Sequence, residues 1–83
     1  MASFPERMKQ LRKEKGISLE KLSDKIGTTK STLSRYENNK REPKIHIAQK
    51  IADEFNVSVD FLLGRTNERL PAHELKETMA KDP

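Results

Sequence analysis

Apolar residues recur along this chain in short, separated blocks, and within each block the spacing is helical. Phe4, Met8 and Leu11 stand at i, i+4 and i+7, and Leu19, Leu22 and Ile26 at i, i+3 and i+7. Leu33 and Tyr36 are three apart, and Ile45, Ala48, Ile51, Ala52 and Phe55 continue a single stripe. Val57, Val59, Phe61, Leu62 and Leu63 form a last short block. No stretch alternates with period two for long enough to make a strand. The pattern predicts an all-α domain, a bundle of five short helices.

Polar residues and glycines punctuate these blocks. Ser3 and Glu6 have the spacing of a capping box, with Pro5 in the first turn, where its missing N–H costs nothing. Gly16 is placed to end helix one in the left-handed conformation, Ser18 to cap helix two, and Glu20 to favour its dipole. Gly27 ends helix two, and either Thr28 or Thr29 caps helix three. Asn38 and Asn39 close helix three, because Asn tolerates positive φ. Pro43 opens helix four, Ser58 caps helix five and Gly64 stops it. Only Gly27-Thr28-Thr29 separates helices two and three, the short glycine-containing turn of a helix-turn-helix. Such units also occur in proteins that touch no DNA, so the turn alone assigns no function.

Of the 83 residues 33% are hydrophobic and 36% charged, a thin core for a single small domain. The chain has no cysteine, which excludes disulfides and thiolate zinc sites. No apolar run approaches the roughly 18 residues of a membrane span, and no signal segment opens the chain, so a cytoplasmic protein is expected. The net charge of +4 is unevenly placed. Residues 1–44 hold 12 Lys/Arg against 6 Asp/Glu, whereas residues 45–83 hold 5 against 7. A basic N-terminal half suits a polyanion or an acidic membrane surface, or is a well-solvated helical face.

The exposed arc of helix three separates these readings. With Lys30 at zero on a helical wheel, Ser34, Asn38, Ser31 and Arg35 follow at about 40°, 80°, 100° and 140°. Thr32, Tyr36 and Leu33 occupy the opposite arc, so one side docks and the other is a row of hydroxyls, an amide, one Lys and one Arg. Arg and Lys donate to guanine O6 and N7, and serine reaches bases or phosphates while letting a helix come close. Solvated faces ordinarily mix in Asp or Glu, which repel phosphate. Here Glu37 lies at the edge of the arc, near 340°, where it can turn back toward the domain. Just beyond the helix, Asn38, Lys40, Arg41 and Lys44 offer side chains and backbone N–H groups to phosphates.

These residues resemble the Cro/CI-type helix-turn-helix family, also called XRE-like, of phage repressors and small bacterial regulators. The resemblance runs from Arg7 to Gly64. It rests on Leu11-Arg12-Lys13-Glu14-Lys15-Gly16-Ile17-Ser18, Ser31-Thr32-Leu33-Ser34-Arg35-Tyr36-Glu37-Asn38, Lys40-Arg41-Glu42-Pro43 and the closing Val57-Ser58-Val59-Asp60-Phe61-Leu62-Leu63-Gly64. It implies a lambda-repressor-like bundle whose third helix enters the major groove. Base-facing positions of the family match Lys30, Ser31 and Arg35, with Ser34 as a fourth. Thr29, Thr32, Asn38 and Lys40 match positions that touch phosphates, joined by Ser18, Lys21, Arg41 and Lys44. The family also pairs an Arg of helix one with a Glu ending helix three, which here are Arg12 and Glu37.

The chain departs from that pattern at several positions. The family's Gln after the helix-two cap is Leu19, so its phosphate contact is absent or passes to Ser18 or Lys21. The small residue inside helix two is Ser23, the turn reads Gly27-Thr28, and Asn39 replaces the glycine after helix three.

His46 and His73 are 27 residues apart and have no ligand-spaced partner, so no metal or other cofactor is expected. No nucleophile–base set or phosphate loop argues for an enzyme. The DNA-binding domain is expected to span residues 1–65. In 66–83, Pro71, Leu75 and Met79 allow a narrow helix that docks a partner chain, packs back or frays. A mobile tail is favoured, with dimerisation through helix five and the tail as the alternative. The ending at Asp82-Pro83 also suits a domain cut from a longer repressor.

The expected function is sequence-specific binding of a double-stranded DNA operator, as a homodimer on an inverted repeat, in a repressor of bacterial or phage origin associated with the nucleoid. The alternative is a protein-binding module of the same fold (antitoxin, antirepressor or adaptor) using Leu70, Leu75 and Met79. RNA binding is disfavoured because Phe4, Tyr36, Phe55 and Phe61 all have core positions, leaving no aromatic to stack on unpaired bases.

Overall fold

The structure is a computed structural model that describes residues 3–70. It consists of α1 (Phe4–Lys15), α2 (Leu19–Ile26), α3 (Lys30–Glu37), α4 (Ile45–Phe55) and α5 (Val59–Leu62). Each helix is too short to be stable alone, so tertiary burial of its apolar stripe holds it in place. Helix α3 packs against α1 and α2, while α4 packs on α2 and α5 closes over α1 and α4. The core gathers Met8, Leu22, Leu33, Tyr36, Ile51 and Leu62, all fully enclosed. The Phe4 ring meets Tyr36 edge-on at 6.0 Å, fastening the start of α1 to the back of α3. No helix among the described residues is long and apolar enough to cross a membrane.

Local chemistry sets most helix ends. The Ser18 hydroxyl accepts from the Lys21 N–H, Thr29 from Thr32 and Ser58 from Phe61, each relieving one unpaired donor of a first turn. Thr29, rather than Thr28, is therefore the cap of α3. Gly27 turns the chain between α2 and α3 at φ 75°, in the left-handed region that L side chains avoid. Asn39 takes the same region at φ 56°, and Asn56, unmarked by the hydrophobic pattern, does so at the end of α4.

Three expectations are corrected. The Ser3 hydroxyl donates to the Glu6 carboxylate at 3.1 Å and caps no backbone N–H, so the box spacing forms a side-chain pair instead. Pro43 lies ahead of α4, whose cap is Lys44. The stripe of α4 is consequently Ile47, Ala48, Ile51, Ala52 and Phe55, and Ile45 is 69% exposed. By angle Ile45 lies at the edge of this stripe, about 20° from Ala52, but as the first residue of α4 it stands at the open end of the helix and is left uncovered.

Residues 66–70, which the hydrophobic pattern assigns to the tail, are tied to the bundle. Arg7 lies on the apolar stripe of α1 and is buried. Its guanidinium stacks 3.8 Å from the Phe61 ring centre and donates to the Phe61 and Thr66 carbonyls and to Asn67 Oδ1. The Ser58 N–H donates to the Arg69 carbonyl at 2.7 Å, and Arg69 pairs with Glu14 at 2.8 Å. That pairing pulls the Glu14 carboxyl below its ordinary pKa. The expected helix around Leu75 and Met79 lies outside the described residues.

Candidate nucleic-acid interface

Helix α3 is anchored from behind by Leu33 and Tyr36, both buried. With those two fixed, the 3.6-residue period leaves Lys30, Ser31, Arg35 and Asn38 exposed and Ser34 half-buried. Among the described residues, Lys30, Arg35, Lys40, Arg41 and Lys44 enter no ion pair. Their charge is thus available to a polyanion.

Glu37, the one acid of the helix, is withdrawn from that face. The residue is 6% exposed, and its carboxylate receives Arg12 in a fork, Nε to Oε2 at 2.7 Å and Nη2 to Oε1 at 3.2 Å. The third guanidinium nitrogen, Nη1, donates to the Ile17 carbonyl at 3.0 Å. The hydrogen bond to Glu37 raises the Arg12 pKa, against the opposing effect of burial. One side chain of α1 therefore ties the loop before α2 to the last turn of α3.

Several hydroxyls and amides on this surface also serve the helix itself. Thr29 Oγ1 caps α3 and shares a 2.8 Å hydrogen bond with Thr32 Oγ1. Asn38 Nδ2 donates back to the Ser34 carbonyl at 2.9 Å and to Ser34 Oγ at 3.3 Å. The backbone N–H groups of Asn38, Asn39 and Lys40 all point onto α3, at the carbonyls of Ser34, Tyr36 and Arg35. They are committed to closing the helix, which corrects the expectation that they are open to phosphate. Leu19 packs half-buried against the core, and Ser18, Glu20 and Lys21 are the exposed polar groups opening α2.

His46 is exposed at the start of α4, and His73 lies outside the described residues. Arg7 escaped notice in the sequence because its charge masks its place at i+3 from Phe4 on the apolar stripe.

Comparison with known proteins gives a family match to helix-turn-helix over residues 8–62. The HTH-type transcriptional regulator YobD of Bacillus subtilis is 37% identical over 81 residues, covering 94% of this chain and 72% of that protein. The regulator SinR of Bacillus subtilis is 44% identical over 64 residues, 76% of this chain, but the chain spans only 58% of SinR. The solved structure of SinR in complex with DNA superposes with a TM-score of 0.68 at 44% identity, covering 72% of this chain and 97% of that one. The P22 c2 repressor, 23% identical, shares the fold with a TM-score of 0.74 over 80% of this chain and all of its own.

Proposed function

The chain belongs to the helix-turn-helix family, of the Cro/CI-type or XRE-like kind, and on that premise we propose that it is a sequence-specific regulator of transcription that binds double-stranded DNA. It acts as a repressor, occupying an inverted-repeat operator with two copies. The observation that carries this reading is the acid-free row of exposed Lys30, Ser31 and Arg35 with half-buried Ser34, and Glu37 locked inward on Arg12. That SinR, a 44% identical relative, has been solved with DNA supports it.

In this reading α3 lies in the major groove. Lys30 and Arg35 donate to guanine edges, while Ser31 and Ser34 permit close approach and accept or donate as the base requires. Thr29, Thr32, Asn38, Lys40, Arg41, Lys44, Ser18 and Lys21 hold the flanking phosphates, fixing register without reading sequence. Each good bidentate base contact discriminates by about 1–3 kcal/mol, so a single copy reads weakly and a pair on a palindrome doubles the contacts.

Selection of bound duplexes from a random pool tests the proposal. A palindromic motif with half-sites about one helical turn apart is the expected result. Recovery of no motif above background overturns it and favours the adaptor alternative.

A further inference from the structure

The chain leaving α5 is steered onto the outer face of α1. The Ser58 N–H and hydroxyl donate to the Arg69 and Glu68 carbonyls, at 2.7 Å and 3.2 Å. Arg69 pairs with Glu14 at 2.8 Å, and its guanidinium lies 5.4 Å from the Phe61 ring centre. Leu70 follows, 40% exposed, and Glu14 itself borders a shallow hollow of about 560 Å³ along α1. Glu6, Lys9, Gln10 and Lys13 complete that hollow, whose lining is mostly the apolar stems of these side chains. We propose that residues 71–83 of the same chain cover this hollow, running antiparallel to α1 as a helix that seats Leu75 and Met79 on it.

Length, sequence pattern and charge select this occupant. Leu75 and Met79 stand at i and i+4 with Ala72 three residues before, and Pro71 suits the first turn of a helix. Thirteen residues of helix span about 20 Å, close to the roughly 18 Å of the 12-residue α1. The Arg69–Glu14 pair fixes where that segment starts, at the C-terminal end of α1. Counting back along α1 from this pair sets Glu74 level with Lys9, and Lys76 within one residue of Glu6. Opposite charges therefore meet at two heights, which fixes the register more than it adds affinity. Pro71 follows Leu70 directly, so the segment reaches the hollow at a high effective concentration and a second copy competes poorly.

The chain has no cysteine, so a nitroxide attached at Ala80→Cys reports this placement in the full 83-residue protein. In its NMR spectrum the amide signals of Glu6, Arg7 and Lys9 should broaden, with the effect fading toward Glu14. The signal of Lys50, on α4, should keep its full intensity. Adding Leu75→Asp with Met79→Asp should abolish the broadening, because two carboxylates cannot seat on apolar stems. Adding Leu75→Met instead should preserve it. Broadening that survives the two aspartates, or that is spread evenly over the chain, overturns the docking. A mixture of isotope-labelled wild type with unlabelled, nitroxide-bearing protein should show no broadening. If the same α1 signals broaden there, a second copy fills the hollow and the proposed occupant is wrong.

Discussion

Arg12 and Glu37, 25 residues apart in sequence, close on each other in a two-pronged ion pair that withdraws the one acid of α3 from its exposed face. Glu37 is nearly sealed and Arg12 about one-fifth exposed, so removing either partner strands a charged group with little water to replace the loss. Glu37→Ala should cost about 2 kcal/mol of stability and weaken all DNA binding, because the last turn of α3 loses its tie to α1. An apolar pair, Arg12→Met with Glu37→Leu, should be less damaging than the summed single changes. Denaturant titration of wild type, Glu37→Ala, Arg12→Met, Glu37→Leu and the double variant checks this. Strict additivity would show that the pair is not coupled.

Base reading and phosphate holding should separate in mutants. Arg35→Ala should cost about 1–3 kcal/mol and relax preference at one base pair in each half-site. Lys40→Ala should weaken every sequence alike and lower the slope of log affinity against log salt by about one. Binding isotherms over a salt series, on the selected operator and its single-base variants, give both readouts. An Arg35→Ala protein with intact affinity and base preference would show that α3 does not read bases.

Gly27 offers a test of the turn without steric confusion. A methyl group added there meets nothing within 4 Å, so the cost of Gly27→Ala is conformational alone. It should destabilise by about 1 kcal/mol, and Gly27→Asn by less, since Asn accepts φ near 75° more readily. Thermal melts rank the three proteins, and an Ala variant as stable as wild type would contradict the assigned φ.

The features legible in the sequence are those whose causes are local. Gly16, Gly27, Ser18, Thr29 and Ser58 mark helix ends because each satisfies or strains backbone groups within a few residues. The exposed arc of α3 follows from two apolar anchors and a period of 3.6. Features that depend on distant partners were not legible. Ile45 and Ile47 are chemically alike, and only the true start of α4 at Ile45 decides which of them faces the core. Arg7 counts as surface charge until Phe61 and residues 66–67 come round to cover it. The commitment of the Asn38, Asn39 and Lys40 N–H groups to α3 is likewise set by the fold of the turn rather than by residue type.

The pairing of Glu14 with Arg69 predicts a pH response. The hydrogen bond holds the Glu14 pKa below its ordinary value in the folded chain, so the folded state releases this proton more easily than the unfolded one. The contribution is present above the ordinary carboxylate range and disappears as pH falls through the depressed folded value. An NMR titration should place the Glu14 midpoint below that of a free glutamate, and Arg69→Ala should move it back up. An unmoved midpoint in Arg69→Ala would show that the contact is not formed in solution.

Arg7 should matter for a reason that charge does not capture. Its guanidinium makes hydrogen bonds to three acceptors on α5 and the following segment while lying flat on Phe61. Lysine carries the same charge but no planar fork, so it can neither span the Phe61 and Thr66 carbonyls and Asn67 Oδ1 nor stack in the same way. Arg7→Lys should therefore lose about 2 kcal/mol, close to the loss in Arg7→Met, which keeps the buried stem alone. Hydrogen exchange adds a local readout. The Ser58 N–H, which donates to the Arg69 carbonyl at 2.7 Å, should lose protection in both variants beyond what the fall in global stability accounts for. If Arg7→Lys matches wild type in stability and in Ser58 protection, a simple cation suffices and the forked clasp on residues 66–67 is not what holds the chain after α5.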